Sequence, residues 1–214
     1  YWQIKYFSAF YYSNGKLKNK DEQGFDVIIG NPPWEILEPD IDEFFSDLYN
    51  QKDLSKFSKL KPKEKEQVIK TLLEKPKINA DWKKYNEEIE LQQKYYRELK
   101  LYQHQSAKNS LVPNKIRPDF YKLFLEKYYF LLKKGGIAGV VLPAGFSTTL
   151  GAKGLRELIF DKSEIMLLFG FNNKNGIFDI HRQKNFINII FKKGGKTSKF
   201  KSANSLCDTA RTIA

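Results

Sequence analysis

A single cysteine, Cys207, stands among 214 residues, so no disulfide framework holds this chain and its fold must rest on a packed core. One unpaired thiol also suits a reducing compartment, and a cytoplasmic location is the expectation. Histidine is nearly as scarce. His104 and His181 with one cysteine leave no plausible zinc site, and no metal is expected. No apolar run approaches membrane-spanning length, and no secretory signal is visible. Acidic residues are outnumbered 25 to 37 by lysine and arginine, giving a net charge of +12. These absences exclude disulfide scaffolds, zinc modules and helical membrane proteins. The charge favours a polyanionic partner, with double-stranded DNA the first candidate.

What is present is aromatic and apolar. Hydrophobic residues make up 41% and aromatics 15% of the chain, enough for one folded domain with an appendage. The most informative stretch is Phe25-Asp-Val-Ile-Ile-Gly-Asn-Pro-Pro-Trp34. Val27, Ile28 and Ile29 read as a buried parallel strand that stops at Gly30. It delivers Asn31, Pro32, Pro33 and Trp34 to the strand's carboxyl end, where open α/β sheets bind their ligands.

Those residue types suit one chemistry. An amino nitrogen conjugated to a ring is a poor nucleophile, because its lone pair is delocalised. Two acceptors on its two N–H groups would draw it toward tetrahedral geometry and free the lone pair. The Asn31 side-chain carbonyl and the Pro32 backbone carbonyl are such acceptors, and two prolines stiffen the turn. The segment resembles the Asn-Pro-Pro-aromatic signature of N6-adenine DNA methyltransferases of restriction-modification systems, of the type IIG (Eco57I-like) kind. That resemblance implies S-adenosylmethionine as cofactor and a partial Rossmann-like α/β sheet. It implies catalysis by positioning, with Trp34 stacked on a base extruded from the duplex. The same letters also suit a plain strand-ending turn.

Two further segments fit the resemblance. Asp119 can cap a helix carrying Phe120, Leu123, Phe124, Tyr128, Leu131 and Leu132, stopped by Gly135-Gly136. Ile137 to Leu142 then forms an apolar strand ended by Pro143. By resemblance Asp119, Tyr121 and Phe124 match the segment lining the cofactor's adenine, although Phe124 equally suits a core-facing stripe. Farther on, a helix near Leu155 to Phe160 precedes two strands, Glu164–Gly170 and Asn185–Phe191, separated by about fourteen residues. An antiparallel pair closing the sheet is expected, with a functional loop between its strands. In that loop Phe178, followed by His181, Arg182 and Lys184, resembles the family's late motif. Phe178 would be the second face of an aromatic sandwich, or alternatively a hydrophobic plug. Arg182 and Lys184 would hold phosphates or the orphaned strand. Tyr1 to Phe7 has the period-two aromatic character of a strand, like the Trp-containing strand that precedes this motif in large restriction-associated methyltransferases.

One expected feature is missing. A complete enzyme of this class needs a glycine-rich loop after its first strand and an acidic residue ending the next, and neither is present. The chain also lacks an initiator methionine, so it reads as part of a longer polypeptide, and as inactive alone. The remainder would supply the cofactor-binding half, a target-recognition domain and any nuclease domain.

Residues 38–117 read as a helical, basic insertion between the two catalytic stretches, 1–37 and 118–195. Residues 35 to 50 are acidic, whereas 51 to 117 carry 17 lysines and arginines against 9 acids. Pro62 can start a helix with Val68, Ile69, Leu72 and Leu73, broken near Pro76, and Asp81 can cap a longer one through Leu99. Lys83, Lys84, Lys94, Arg97 and Lys100 are candidate phosphate contacts if this hairpin flanks DNA, and otherwise a solvated face. Pro39-Asp40 with Glu98-Leu99-Lys100 spells a nuclease motif in letters only, because its second part falls within a helical pattern. Residues 196–214 read as a polar linker or truncated segment. Three rival functions share the turn or the charge: glutamine-N5 protein methylation, RNA N-methylation, and non-catalytic DNA binding.

Overall fold

The computed structural model describes residues 2–50, 57–99, 101–105, 118–179 and 181–206. Lys100 and Cys207 lie outside these residues. The chain divides into two compact units, Leu37–Tyr96 and a larger one formed by the flanking stretches Tyr1–Ile36 and Arg97–Ala214. No described helix is long and apolar enough to cross a membrane.

The larger unit is built on a five-stranded sheet: β1 (Phe25–Gly30), β2 (Leu132–Pro143), β3 (Ser163–Asn172), β4 (Asn185–Lys193) and β5 (Lys201–Leu206). The spatial order is β1-β2-β4-β3-β5, and β4 alone runs antiparallel to its neighbours. The parallel β1–β2 step requires a crossover. Two short helices, α1 (Trp2–Lys5) and α2 (Phe7–Phe10), precede β1. Helix α6 (Phe120–Leu131) runs directly into β2, and α8 (Lys153–Lys162) directly into β3. The short helix α7 (Gly145–Thr148) lies between β2 and α8.

One core holds this unit together. Tyr121, Leu125 and Tyr129, spaced four apart, line one stripe of α6, and Leu155, Leu158 and Ile159 line α8. Both stripes pack on alternate residues of the strands: Ala138, Val140 and Leu142 of β2, and Ile187, Ile189 and Phe191 of β4. Strands and helices therefore obey their own periods, two and three-to-four, toward one shared layer.

Several local expectations change. The aromatic amino-terminal stretch forms α1 and α2 instead of a strand. Trp2, Tyr6 and Phe10 recur every fourth residue, and all three rings meet Phe25 at 6.5, 5.2 and 5.8 Å. That shared helical face outweighs the period-two character of the letters. Among the described residues, strand β1 pairs only with β2 and is covered on one face only. Ile28 packs on the core, but Val27 and Ile29 on the other side are 56% and 84% exposed. Helix α6 ends at Leu131, before the glycine pair. Gly135 and Gly136 instead lie where the β1–β2 register jumps, Phe25 facing Leu132 and Val27 facing Ile137. The antiparallel pair does not close the sheet, because β5 adds outside β3 in the stretch read as linker or truncated segment. An edge strand is held by backbone pairing, so it needs no apolar pattern. Its approach is anchored by Phe200 against Phe160 at 5.9 Å.

The smaller unit is helical: α3 (Ile41–Asn50), α4 (Pro62–Leu73) and α5 (Pro76–Glu98). Pro62 occupies the first position of α4, and Glu64 reaches back to the Lys61 N–H at 3.0 Å. Helix α5 begins at Pro76 rather than Asp81, because proline's fixed φ favours a helix start as much as it forbids continuation. Phe45, Phe57 and Leu72 form its core with Trp82, whose ring lies 4.8 Å from Phe45.

Gly24 immediately precedes β1 at φ 119°, and a β-carbon there would overlap the Leu131 carbonyl and lie 2.6 Å from Lys133 N. Gly15 also has positive φ, at 80°, but faces open space. Gly24→Ala is therefore expected to destabilise the fold by more than about 3 kcal/mol, and Gly15→Ala by about 1 kcal/mol. Urea unfolding midpoints of the two variants check this, and equal costs would contradict the close packing at Gly24.

Candidate functional site

The carboxyl ends of β1, β2 and β3 lie along one edge of the sheet, where the antiparallel β4 begins. Phe186 near the start of β4 pairs with Pro143, the last residue of β2, and with Phe171 near the end of β3. It is 2% exposed and collects three other rings. Phe171 stacks on it at 5.0 Å, Phe178 meets it edge-on at 4.8 Å, and Trp34 approaches at 6.4 Å. Trp34 and Phe178, 144 residues apart in sequence, thus border one aromatic cluster.

The Asn31–Trp34 turn leaves β1 at this edge with Asn31 and Pro33 exposed, Pro32 buried and Trp34 half-buried. The Trp34 indole N–H is buried with no hydrogen-bond partner among the described residues, although such groups usually have one. Two contacts seat the turn. At its start, a β-carbon on Gly30 would lie 2.8 Å from the Tyr128 hydroxyl, so the Tyr128 ring backs the residue just before Asn31. At its exit, Phe120 N–H donates to the Glu35 carbonyl at 3.0 Å, and Ile36 bridges Asp119. The turn is therefore tied to both ends of α6.

The residues matched to a cofactor site fare differently. Phe124 is 40% exposed and packs at 5.9 Å on Tyr128, so it is not a core residue. Tyr121 is 5% exposed in the core. Burial, reinforced by the nearby Asp119 carboxylate, holds the Tyr121 phenol well above its ordinary pKa. Burial alone raises Tyr128 in the same direction. Asp119 is ion-paired with the buried Lys122. Of the three, Phe124 alone offers an open ring. The far end of α6 carries the fully buried Glu126, which accepts from the His104 backbone N–H at 3.1 Å and Gln105 Nε2 at 2.5 Å, with His104 Nδ1 2.7 Å from the same carboxyl. These bonds hold His104 and Gln105 on the helix.

Arg182 and Lys184 follow Phe178 on the stretch between β3 and β4, and both are exposed. The Arg182 guanidinium donates to the Lys174 carbonyl at 2.9 Å, so it braces its own loop. Lys83, Lys84, Lys94 and Arg97 are exposed on α5, with Lys84 3.9 Å from Glu88. Asp40 accepts from Glu43 N–H at 2.9 Å as the cap of α3, an ordinary structural use of that side chain.

Three residues of the site escaped the sequence reading. Phe186 looked like one more apolar strand residue, and Tyr128 like a core position. Asn173 lies in a polar loop, yet it is fully buried and bonded to Phe178. The only signal for any of them is position: Phe186 opens a strand at the ligand edge.

A mixed sheet with α6 and α8 on one layer and this turn at the end of β1 defines part of a Rossmann-like methyltransferase fold. The chain belongs to the Eco57I restriction-modification methylase family, whose sequence model matches residues 53–178, more than half of it. That match starts after the Asn31–Trp34 turn and reaches Phe178. Among solved structures, the chain is similar to a protein from Vibrio vulnificus YJ016 assigned as a modification subunit of a type I restriction enzyme. The identity is 16%, covering 86% of this chain and 26% of that one, with a TM-score of 0.43. It is similar to DrdV in its DNA complex at 18% identity, 87% and 15% coverage and TM-score 0.43. A protein from Listeria monocytogenes assigned as a class I S-adenosylmethionine-dependent methyltransferase gives 16% identity, 52% and 35% coverage and TM-score 0.38. The chain thus spans between about one seventh and one third of the length of these proteins. A comparison with curated protein sequences found no match.

Gly30→Ala is expected to destabilise the fold by about 1–2 kcal/mol, since the half-buried Tyr128 ring must shift. Tyr128→Phe removes the nearest atom and should recover part of that loss in the double variant. A double-mutant cycle by urea unfolding checks this, and strictly additive costs would show that the two residues do not touch.

Proposed function

We propose that this chain carries the base-holding side of a DNA methyltransferase that moves a methyl group from S-adenosylmethionine to N6 of adenine, within a bacterial restriction-modification or phage-defence enzyme. The observation that carries this reading is the Asn31–Trp34 turn at the carboxyl end of β1, with Trp34 and Phe178 bordering one cluster on Phe186.

An adenine turned out of the duplex would present its amino group to the turn. The Asn31 side-chain carbonyl would accept from one N–H and the Pro32 backbone carbonyl from the other. Nitrogen then pyramidalises, and its lone pair becomes available for in-line attack. The new N–C bond forms as the carbon–sulfur bond breaks, and the nitrogen sheds one proton to solvent. Pro32 and Pro33 keep the two acceptors from relaxing toward the planar ground state, so the geometry favours the transition state over the substrate. Trp34 and Phe178 would flank the base and replace the stacking it loses on leaving the helix. When bound, S-adenosylmethionine supplies the electrophilic methyl group.

The residues of this chain fit one end of that cofactor. Phe124, open beside Tyr128, can face an adenine ring, whereas Tyr121 is committed to the core and Asp119 to Lys122. No glycine-rich turn follows a strand among the described residues, so the ribose and methionine ends would be held by another part of the protein. The same remainder would bring target recognition and any nuclease domain. Lys184 beside the Phe178 loop is a proposed phosphate contact, with Arg182 bracing that loop, and Lys83, Lys84 and Arg97 on α5 are proposed contacts of their own.

The test incubates the intact protein with tritiated S-adenosylmethionine and unmodified genomic DNA, beside an Asn31→Ala variant, and digests the DNA to nucleosides. Label is expected in N6-methyladenine, with the variant at least about 100-fold slower. Label in protein glutamine or RNA, or an undiminished variant, would overturn the reading.

A further inference from the structure

The loop between β3 and β4 is fastened to itself in an unusual way. Asn173 is 0% exposed, and its amide makes a reciprocal pair of bonds with Phe178. Its Nδ2 donates to the Phe178 carbonyl at 3.1 Å, and the Phe178 N–H donates to its Oδ1 at 3.0 Å. An asparagine can do this because one short side chain carries both an acceptor and donors. Aspartate would lose the donating half and leucine both.

The rest of the loop is arranged around that pair. Asn172 accepts from Lys174 N–H at 3.0 Å, Gly176 turns the chain at φ 70°, and Arg182 donates to the Lys174 carbonyl at 2.9 Å. Phe178 emerges with its backbone held on both sides and its ring against Phe186 at 4.8 Å. None of these bonds is needed to connect β3 to β4. A buried polar side chain has to be hydrogen-bonded, and here two of those bonds clasp the backbone of the residue that carries the aromatic ring.

We propose that Asn173 is a positioning residue, which holds Phe178 as a ready-made wall for the extruded base. This rests on the reading that Phe178 flanks adenine. A wall already in place costs nothing to order when the base arrives, whereas a loose one draws its ordering from the flipping step. Loss of Asn173 should therefore slow the step in which the base leaves the duplex and leave DNA capture nearly unchanged.

The experiment compares wild type, Asn173→Ala, Phe178→Ala and the double variant in the intact protein, with tritiated S-adenosylmethionine on native and on heat-denatured genomic DNA. Asn173→Ser, which puts a single hydroxyl in place of the amide and buries no charge, serves if the alanine variant unfolds. On native DNA the Asn173 variant is expected to lose about tenfold in kcat with the DNA KM within about twofold of wild type. On denatured DNA the loss should shrink, because the base is already unstacked. In the Phe178→Ala background the Asn173 change should add nothing. A loss equal on both DNAs that multiplies with Phe178→Ala would overturn the proposal and leave Asn173 a purely structural residue. Full activity of Phe178→Ala would overturn it through the base wall, with the Asn31 reading intact. A wild-type protein that methylates no DNA would overturn both, which separates the two failures.

Discussion

The site depends on the backbone pairing of β4 between β2 and β3. Because β4 runs against them, its first residues lie where theirs end, and Phe186 faces Pro143 on one side and Phe171 on the other. Had β4 run parallel, its amino end would sit at the far edge of the sheet and no ring would occupy this position. The reversal thus converts a strand start into the floor of an aromatic cluster, onto which Trp34 from one loop and Phe178 from another converge.

Rigidity of the turn comes from behind it. Helix α6 packs its stripe into the core, touches Gly30 through Tyr128 and bonds the exit of the turn through Phe120 N–H. One packed helix therefore fixes both ends of Asn31–Trp34, and the same helix presents Phe124. The Asn31–Trp34 turn and the open Phe124 ring are thus held by one and the same helix. Such coupling suits chemistry whose rate rests on alignment rather than on a charged catalyst.

How much of this the sequence revealed follows from which forces are local. The β1 strand, the turn after it, α6 and the β3–β4 pair were legible, because each is announced by apolar period and by glycine or proline punctuation. The amino-terminal helices were not, since Trp2, Tyr6 and Phe10 satisfy two periods at once and only their shared target, Phe25, decides between them. Strand β5 was hidden for the opposite reason: backbone pairing at an edge leaves no mark in the side chains. At the site, Asn31 to Trp34 and Phe178 stood out as letters with a chemical reason. Tyr121 and Phe124 shared a helix and a resemblance, and only packing separates the core residue from the open ring. Asn173 and Phe186 act through partners supplied by other strands and loops, which no linear pattern encodes.

The most direct measurement of the central claim is a crystal structure of the intact protein with its DNA and a non-reactive analogue of S-adenosylmethionine. The account predicts an adenine outside the duplex, its N6 within hydrogen-bonding distance of Asn31 Oδ1 and the Pro32 carbonyl, and its ring between Trp34 and Phe178. An adenine held elsewhere, or a target base still stacked while the turn faces solvent, would contradict it.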